Sequence, residues 1–213
     1  MDFFVFFSYI LSGVYITLAV TAIALPMGLI FGIGFALIRV YAGKKVSALA
    51  AVYSTVMRGI PPIVLLFILY FIIAGTINIT AFWAGSLALG IISSSYQMEI
   101  FRGAIQSVTG GQELAGRAIG MTRMQTIRYI TLPQALRIAI PPWSNEASTV
   151  IKDSSLVYAI GVAEVLRRSQ MIGARSFQML LAFSIAALIY FVLVFLTNRG
   201  LDWLERRTRI PAM

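Results

Sequence analysis

The sequence contains no cysteine and no histidine among its 213 residues. These absences exclude disulfide bonds, thiolate nucleophiles, imidazole acid–base catalysis and metal sites built from cysteine or histidine. Charge is scarce as well, because 12% of the residues are charged, against about 25% in a soluble domain. Only eight of the charged residues are acidic. We therefore expect neither an ordinary soluble fold nor a membrane-embedded enzyme, and we expect no bound metal ion.

Hydrophobic residues take the place of the missing charge, at 59% of the chain and a mean hydropathy of +0.88. A helix that crosses a bilayer needs ~20 apolar residues, because the hydrocarbon core is ~30 Å thick. On this basis we predict an all-α integral membrane protein with five spanning helices. Their expected positions are residues 13–38, 46–75, 79–106, 133–155 and 177–198.

Three features are expected to interrupt the apolar sequence. Ser12-Gly13 separates an interfacial segment, residues 1–12, from the first span, and the apolar stretch is too long for a cleavable signal peptide. Pro61 and Pro62 must kink or break the second span. Residues 155–166 are apolar but too short to cross, which indicates a re-entrant or interfacial segment.

Lysine and arginine predict the orientation. Most of the 17 basic residues fall on one side of a five-span arrangement, including those of a basic tail at residues 206–213. By the positive-inside rule that side is cytoplasmic, so we expect a multi-pass protein of the cytoplasmic (inner) membrane with its N-terminus outside. The net charge of +9 is also compatible with nucleic-acid binding. Because the basic residues lie between apolar spans, we expect membrane lipid and no nucleic acid as a partner.

A polar segment, residues 107–132, follows the third predicted span. Thr109 and Gln112 have the spacing of a capping box, Thr122 and Gln125 repeat it, and Gly120 fits a left-handed helix cap. The pattern predicts two short helices, the first beginning at Thr109. An ordinary solvated loop is the alternative, but it gives no reason for two sets of helix start signals.

This segment resembles the EAA loop of type I ABC importer permeases. The family's pattern is Glu-Ala-Ala, three residues, Gly, nine residues, Ile, one residue and Leu-Pro, and Gly120 and Leu132-Pro133 match it. Leu114 occupies the glutamate position, and Glu113 lies one residue early. The resemblance implies that this coupling loop docks on an ATP-hydrolysing subunit. Its candidate contact residues are Gln112, Glu113, Ala115, Gly116, Gly120 and Met121.

Three further stretches resemble the polar amino acid branch of the same family, the permeases of the histidine, glutamate, glutamine and arginine type. Met57–Pro61 resembles its Arg-Gly-Thr-Pro element, with Ile60 in the threonine position. Ser95–Ile105 resembles its Ala-Tyr-x-x-Glu-x-x-Arg-x-Gly-Ile element, and Lys152–Leu156 its acidic, hydroxyl-rich element. The resemblance therefore covers nearly the whole chain and implies an ABC transmembrane type-1 domain over residues 13–205.

The resemblance also implies a function. The chain would be a permease subunit that forms the path of a polar amino acid across the membrane. It has no Walker A pattern, so the resemblance implies no cofactor in this chain, and ATP with Mg²⁺ on a separate subunit. The implied partners are two copies of the ATP-binding subunit, a second permease subunit, identical or homologous, and a soluble substrate-binding protein. A stand-alone secondary transporter or channel is the alternative, although it gives no reason for the coupling loop.

Ionisable residues inside a span must face the helix bundle or a wet cavity, because placing one at mid-bilayer costs ~2.5–3.5 kcal/mol. Glu146, Thr149 and Asp153 are spaced i, i+3, i+7 and share one face of the fourth predicted span. We interpret this face as a substrate path, where an ammonium group meets Asp153 or Glu146 and a carboxylate meets Lys152 or a hydroxyl. The candidate path residues are Ser93, Ser94, Tyr96, Asn145, Glu146, Thr149, Lys152 and Asp153. A role in holding helices together is the alternative.

Other charged residues near the cytoplasmic ends are expected to be structural. Glu99 and Arg102 are spaced i, i+3 on the third predicted span, so we expect them to pair and to fasten the helix to the coupling loop. Arg58 lies next to the Pro61 kink, and we expect it to stabilise that kink.

Overall fold

The computed structural model describes residues 3–208, except for the side chains of Thr109 and Thr208. Residues 1–2 of the predicted interfacial segment and residues 209–213 of the predicted basic tail, Arg209 among them, lie outside the described residues. In the described range the chain is helical, and no residue there lies in a β-strand. The α-helices are α1 (Phe3–Leu11), α2 (Val14–Tyr41), α3 (Lys44–Gly59), α4 (Pro62–Ile77), α5 (Ala81–Ala118), α6 (Arg123–Thr126), α7 (Leu132–Asp153), α8 (Val165–Ser176) and α9 (Met179–Thr208).

Two segments are long and apolar enough to cross a membrane by themselves. They are Phe3–Tyr41, which contains α1 and α2, and Met179–Arg207 in α9. The pair of α3 and α4 passes the same test when the two helices are taken together. Helices α5 and α7 carry many polar residues and do not pass it. Length and composition thus support two or three spans within residues 3–208, and five spans stay a prediction.

The two helix interruptions predicted in the N-terminal half, at Ser12-Gly13 and at Pro61-Pro62, are confirmed. Helix α1 ends at Leu11 and α2 begins at Val14, on either side of Ser12-Gly13. Helix α3 ends at Gly59 and α4 begins at Pro62, with a bend of 114° between them. The bend follows from the two prolines, because proline lacks a backbone N–H and its ring disfavours helical geometry in the residue before it.

The predicted end of the third span at Gln106 and the predicted new helix at Thr109 are wrong. Helix α5 runs without interruption from Ala81 through Gly110-Gly111 to Ala118. A capping box supplies acceptors to backbone N–H groups that have none, but here the preceding turn of α5 already supplies them. The two glycines cost the helix roughly 1 kcal/mol each, and this does not end it. The side chain of Thr109, the proposed cap, lies outside the described residues.

Helices α7 and α9 lie close to their predicted positions but differ from the prediction in length. Helix α7 begins at Leu132, beside the predicted start at residue 133, and is preceded by a π-helical turn, Ile127–Thr131. Pro133 accounts for this turn, because it has no N–H for an ordinary helical bond, while the N–H of Leu132 reaches back five residues to the carbonyl of Ile127. Helix α9 continues past the predicted end at residue 198, because the charges there end the apolar stretch without ending the helix.

Residues 154–176 fold back into the bundle as a 3₁₀ segment, Ser154–Ile160, followed by α8. The fully buried carboxylate of Glu164 caps α8 by accepting from the N–H groups of Leu166 at 2.8 Å and Arg167 at 2.7 Å. The hydroxyl of Tyr190 on α9 donates to the same carboxylate at 2.5 Å. Sequence reasoning did not identify Glu164, because its partners are a backbone turn and a helix distant in sequence.

Glycines bring α2 against α5 along the centre of the bundle. A Cβ atom added to Gly28 would lie 2.5 Å from the amide nitrogen of Gln97, and one added to Gly32 would lie 2.7 Å from Cβ of Gln97. Real Cβ contacts do not become that short, so α2 approaches α5 only because these positions lack a side chain. Small residues commonly allow such close packing between membrane helices.

We predict that Gly32→Ala lowers the unfolding temperature in detergent, whereas Gly34→Ala does not. The added methyl at residue 32 meets Gln97 and the backbone of Met98, and such overpacking typically costs about 1–3 kcal/mol. Position 34 is the matched control on the same helix, because nothing lies within 4 Å of its added Cβ and a helix-interior alanine is favoured over glycine. Equal unfolding temperatures for the two variants would contradict the close approach of α2 to α5.

Candidate functional site

A polar cavity of about 200 Å³ lies between α5, α7 and the beginning of α4. Two of its walls come from one face of each helix, because residues three or four apart on a helix lie side by side. Its lining consists of Pro62, Leu89, Ile92, Ser93, Tyr96, Glu146, Thr149, Val150 and Asp153. The cavity therefore joins the predicted polar face of α7 to hydroxyl-bearing residues of α5, next to the proline break that begins α4.

The structure brings together five of the eight residues predicted for the substrate path. Glu146, Thr149 and Asp153 line the cavity from α7, and Ser93 and Tyr96 line it from α5. The hydroxyl of Ser93 donates to Oε1 of Glu146 at 2.8 Å. Among the described residues, the carboxylate of Asp153 makes no hydrogen bond and no ion pair. The site thus has one oriented carboxylate and one that is open to a ligand, and the role of both in a path stays a prediction.

The other three predicted path residues lie elsewhere. Ser94 is bound by Tyr53, whose hydroxyl lies 2.5 Å from it, and Asn145 is exposed and does not line the cavity. Lys152 is exposed and lines clefts against α9 that include Tyr190. Successive helical residues point about 100° apart, so Lys152 faces away from the cavity that Asp153 faces. The expected pairing of a substrate carboxylate with Lys152 in this cavity is therefore not supported by the geometry.

Charged residues of α3 and α5 near the cavity form a structural cluster. Arg102 and Glu99 make the predicted i, i+3 ion pair, with nitrogen and oxygen 2.7 Å apart. Glu99 also accepts from the hydroxyl of Ser54 on α3 at 2.9 Å. The guanidinium of Arg58, at the end of α3, lies 5.7 Å from the ring centre of Tyr96. These contacts tie α3 to α5 directly before the bend into α4.

The coupling loop turns back at Gly120, as predicted. Gly120 has a φ of 81°, the N–H of Gly120 donates to the carbonyl of Arg117 and the N–H of Met121 to that of Gly116, both at 3.0 Å. This pair of bonds is a Schellman motif, in which glycine is favoured because a side chain is strained at that φ. The capping box of Thr122 and Gln125 is confirmed as the start of α6.

Gly116 holds the two arms of the coupling loop together. It is buried, and a Cβ added there would lie 2.8 Å from the hydroxyl oxygen of Thr126 in α6. The carboxylate of Glu113 lies 3.8 Å from the guanidinium of Arg123, which itself lies 5.1 Å from the ring centre of Tyr41 at the end of α2. Gly116 and Glu113 therefore make contacts within the coupling loop, and the carboxylate of Glu113 has its partner, Arg123, in this chain.

The coupling loop exposes three large apolar side chains, which the sequence pattern did not indicate. Leu114 is 69% exposed, Ile119 76% and Met124 71%. Ala115 is also exposed, whereas Gln112 and Met121 are half-buried. Leu114 stands where the family pattern has glutamate, and this substitution was the available signal. We name Leu114, Ile119 and Met124 the apolar strip of the coupling loop.

Within residues 3–208, no three or more acidic side chains come close enough to hold a metal ion.

Comparison with known proteins places the chain among importer subunits. The family model described as "Binding-protein-dependent transport system inner membrane component" matches residues 24–210. The L-cystine transport system permease protein TcyB of Bacillus subtilis (strain 168) is 37% identical over 198 residues, covering 92% of this chain and 85% of the relative. The glutamine transport system permease protein GlnP of Escherichia coli (strain K12) is 36% identical over 204 residues, covering 94% and 93%.

Solved structures share the same fold. One described as the crystal structure of an amino acid ABC transporter with histidines superposes with a TM-score of 0.86 at 35% identity, covering 97% of this chain and 99% of that one. An inward-facing form of the MetNI methionine ABC transporter also gives a TM-score of 0.86, at 20% identity and with 99% and 100% coverage. The second likeness bears on the fold alone. The resemblance drawn from the sequence motifs is thus confirmed.

We predict that a cysteine introduced at position 149 reacts faster with a cationic than with an anionic methanethiosulfonate reagent. The carboxylates of Glu146 and Asp153 line the same cavity, and such a field changes encounter rates by about tenfold or more. The chain has no native cysteine, so Thr149→Cys provides the single reactive thiol. Asn145→Cys, exposed one turn away on the same helix, is the matched control and is expected to show little preference. An equal preference at both positions would contradict an acidic cavity.

Proposed function

This chain belongs to the family of binding-protein-dependent transport system inner membrane components, and on that premise we propose that it is the permease subunit of an ATP-driven importer whose cargo is a polar amino acid. The relatives named above are permeases of cystine and glutamine transport systems. We propose that the cavity between α5 and α7 is part of the path and that the coupling loop receives the motion of an ATP-hydrolysing partner.

The observation that carries this proposal is the apolar strip of the coupling loop. Exposed apolar residues on the lipid-facing sides of α2 or α9 need no partner, because lipid covers them. The strip lies among the exposed Arg117, Arg123 and Arg128, which do not belong in hydrocarbon. An apolar surface rimmed by charge in water is typical of a docking site for another protein. For a member of this family, we propose an ATP-binding subunit as the partner that docks there.

The coupling loop and the cavity are connected by one rigid element. Ser93 and Tyr96 lie on the same uninterrupted helix as Gly116, with about 35 Å of helix between Ser93 and Gly116 at ~1.5 Å per residue. A movement imposed on the coupling loop therefore reaches the cavity wall without crossing a joint. Closure of two ATP-binding subunits would shift α5 and α7 together, which supports alternation of the cavity between the two sides of the membrane.

The proposed arrangement in the membrane takes account of both the cavity and the coupling loop. We propose five spans with the N-terminus outside and the C-terminus in the cytoplasm, formed by α2, the α3–α4 pair, α5, α7 and α9. Helices α5 and α7 are too polar to span alone because they carry the cavity, and their neighbours shield them from lipid. A second permease subunit, identical or homologous, two ATP-binding subunits and a soluble substrate-binding protein complete the importer. ATP and Mg²⁺ bind to the partner subunits, and this chain holds no cofactor.

The cavity chemistry supports a cargo with an ammonium group. Glu146 and Asp153 present two carboxylates, and the hydroxyl groups of Thr149 and Tyr96 add neutral hydrogen-bonding positions. None of the lining residues is basic. Every amino acid carries an ammonium group, so these side chains fit the class of cargo rather than one member of it.

A pull-down from the native membrane tests the proposal. The tagged chain is extracted in mild detergent, and its stoichiometric partners are identified by mass spectrometry. Recovery of a subunit with Walker motifs supports the importer, and a second permease-like chain distinguishes a heterodimer from a homodimer. A chain that is recovered intact and alone, and that transports without ATP, would instead support a stand-alone secondary transporter or channel.

We predict that Asp153→Asn lowers ATP-driven amino acid uptake in proteoliposomes about tenfold or more, while the complex still assembles. The substitution removes a carboxylate that makes no hydrogen bond or close ion pair with the described residues, and a charged hydrogen bond to the cargo is worth about 1.5–3 kcal/mol. Asp202→Asn is the matched control, because Asp202 is exposed on α9 and does not line the cavity. Normal uptake by the Asp153 variant would remove this residue from the path.

We predict that Gly120→Asp reduces uptake and uncouples it from ATP hydrolysis, or releases the ATP-binding subunit. An aspartate at a φ of 81° strains the Schellman turn and places a charge beside Ile119 of the apolar strip. Gly110→Asp is the control, because Gly110 is exposed within α5 with nothing within 4 Å of an added Cβ. The ratio of ATP hydrolysed to cargo moved is measured for both; an unchanged ratio in the Gly120 variant, with the ATPase still bound, would argue against the docking role.

A further inference from the structure

A directed chain of hydrogen bonds leads from the outside of the cavity to Glu146. The indole N–H of Trp143 donates to Oε1 of Gln97 at 2.8 Å. The amide nitrogen of Gln97 donates to the hydroxyl oxygen of Ser93 at 3.0 Å and to the carbonyl of Leu25 at 3.2 Å. Ser93 then donates to Oε1 of Glu146 at 2.8 Å. The chain links α2, α5 and α7, and Gln97 and Trp143 do not line the cavity.

Only one orientation of the Gln97 amide satisfies these contacts. If the amide were turned over, its NH₂ group would face the indole N–H, which can only donate, and its oxygen would face the carbonyl of Leu25, which can only accept. Gln97 is fully buried, so water does not compensate for either mismatch. Trp143 and the carbonyl of Leu25 together therefore fix which end of Gln97 points toward Ser93.

The orientation of Gln97 in turn decides where the proton of Ser93 points. Since the oxygen of Ser93 accepts from Gln97, its hydrogen is directed away, toward Glu146. Nearby serines on α5 behave differently: Ser86, Ser94 and Ser95 each donate to a carbonyl of their own helix, at 2.7 Å. Such bonds are the usual choice of a serine inside a helix. Ser93 instead bonds across to α7.

Space for this chain is made by the glycines of α2. Side chains at Gly28 or Gly32 would overlap Gln97, as the 2.5 Å and 2.7 Å distances to an added Cβ indicate. The amide is therefore enclosed by α2 on one side and by Trp143 on the other. It has neither room nor water in which to turn.

We propose that Gln97 and Trp143 are positioning residues that hold the carboxylate of Glu146 for recognition of the cargo's ammonium group. They make Ser93 an obligatory donor to Oε1, so that Oε2, which has no hydrogen-bond partner among the described residues, is left for the ligand. This assignment rests on the proposed function of the cavity. It adds two residues that the sequence motifs do not single out.

The first test needs no cargo. In the Thr149→Cys background, Trp143→Phe removes the indole donor and keeps an aromatic ring, which leaves Oε1 of Gln97 without its donor and the Leu25 carbonyl as the remaining contact outside α5 that holds the amide. Ser93 is then held less firmly as a donor to Glu146, and the preference of the introduced thiol for the cationic over the anionic reagent is expected to fall at least about twofold. Trp83→Phe is the matched control, because Trp83 is half exposed and packs on Phe82 of α5.

A double variant separates positioning from a general loss of packing. Ser93→Ala is expected to reduce the reagent preference as Trp143→Phe does, and the combined variant to reduce it no further than Ser93→Ala alone. Residues that act through one another are non-additive in this way. Additive effects, or a Trp143→Phe variant that matches Trp83→Phe, would overturn the proposal. Variants are compared only as monodisperse complexes, and Ser93→Ala provides the same readout if Trp143→Phe does not assemble.

The second test uses the complete importer in proteoliposomes. Labelled L-glutamine, L-arginine and L-cystine serve as probes, and Trp143→Phe is expected to raise the KM of a carried probe about tenfold with a smaller change in maximal rate. If the reagent preference falls but KM does not change, the hydrogen-bonded chain stands and the cavity's role in cargo recognition is wrong. If neither changes, the positioning role itself is wrong.

Discussion

The close approach of α2 to α5 is the contact on which the rest of this structure depends. Gly28 and Gly32 leave just enough room for the side chain of Gln97, whose amide bonds to both α2 and α7. In a bilayer a buried amide finds no water, so all of its hydrogen bonds must come from protein groups. The positions of three helices are thereby tied to one side chain, and the cavity between α5 and α7 forms beside it.

The length of α5 gives the cavity its connection to the coupling loop. Had the helix ended at Gln106 and begun again at Thr109, a hinge would separate the residues that line the cavity from those proposed to contact a partner. The continuous helix removes that hinge, and the sharp turn is delayed until Gly120. A turn at that point exposes Leu114 and Ile119 and keeps Gly116 packed against α6. The same helix thus serves the two proposed roles of the chain.

The sequence alone was sufficient to predict structural features whose cause is local. Pro61-Pro62 breaks a helix wherever it lies, Gly120 suits a left-handed turn, and the spacing of Glu146, Thr149 and Asp153 puts them on one face. The sequence did not predict contacts whose partner is distant in sequence. Lys152 was expected to line the same path as Asp153 from an adjoining face of the helix, but it lines clefts against α9 instead. Trp143 and Glu164 lie in no motif and Gln97 at a variable position of one, and each has a hydrogen-bond partner on another helix.

Electrostatics gives a reason why cargo and closure favour each other. Glu146 and Asp153 line one small cavity without a basic residue, and two like charges in such surroundings repel each other more strongly than they do in water. Any movement that narrows the cavity by bringing α7 toward α5 becomes more costly while both carboxylates are charged and alone. An ammonium group of the proposed cargo between them would offset this repulsion, so an occupied cavity would resist narrowing less than an empty one. Because α5 also carries the coupling loop, the proposed cargo site and the proposed docking surface lie on one continuous helix.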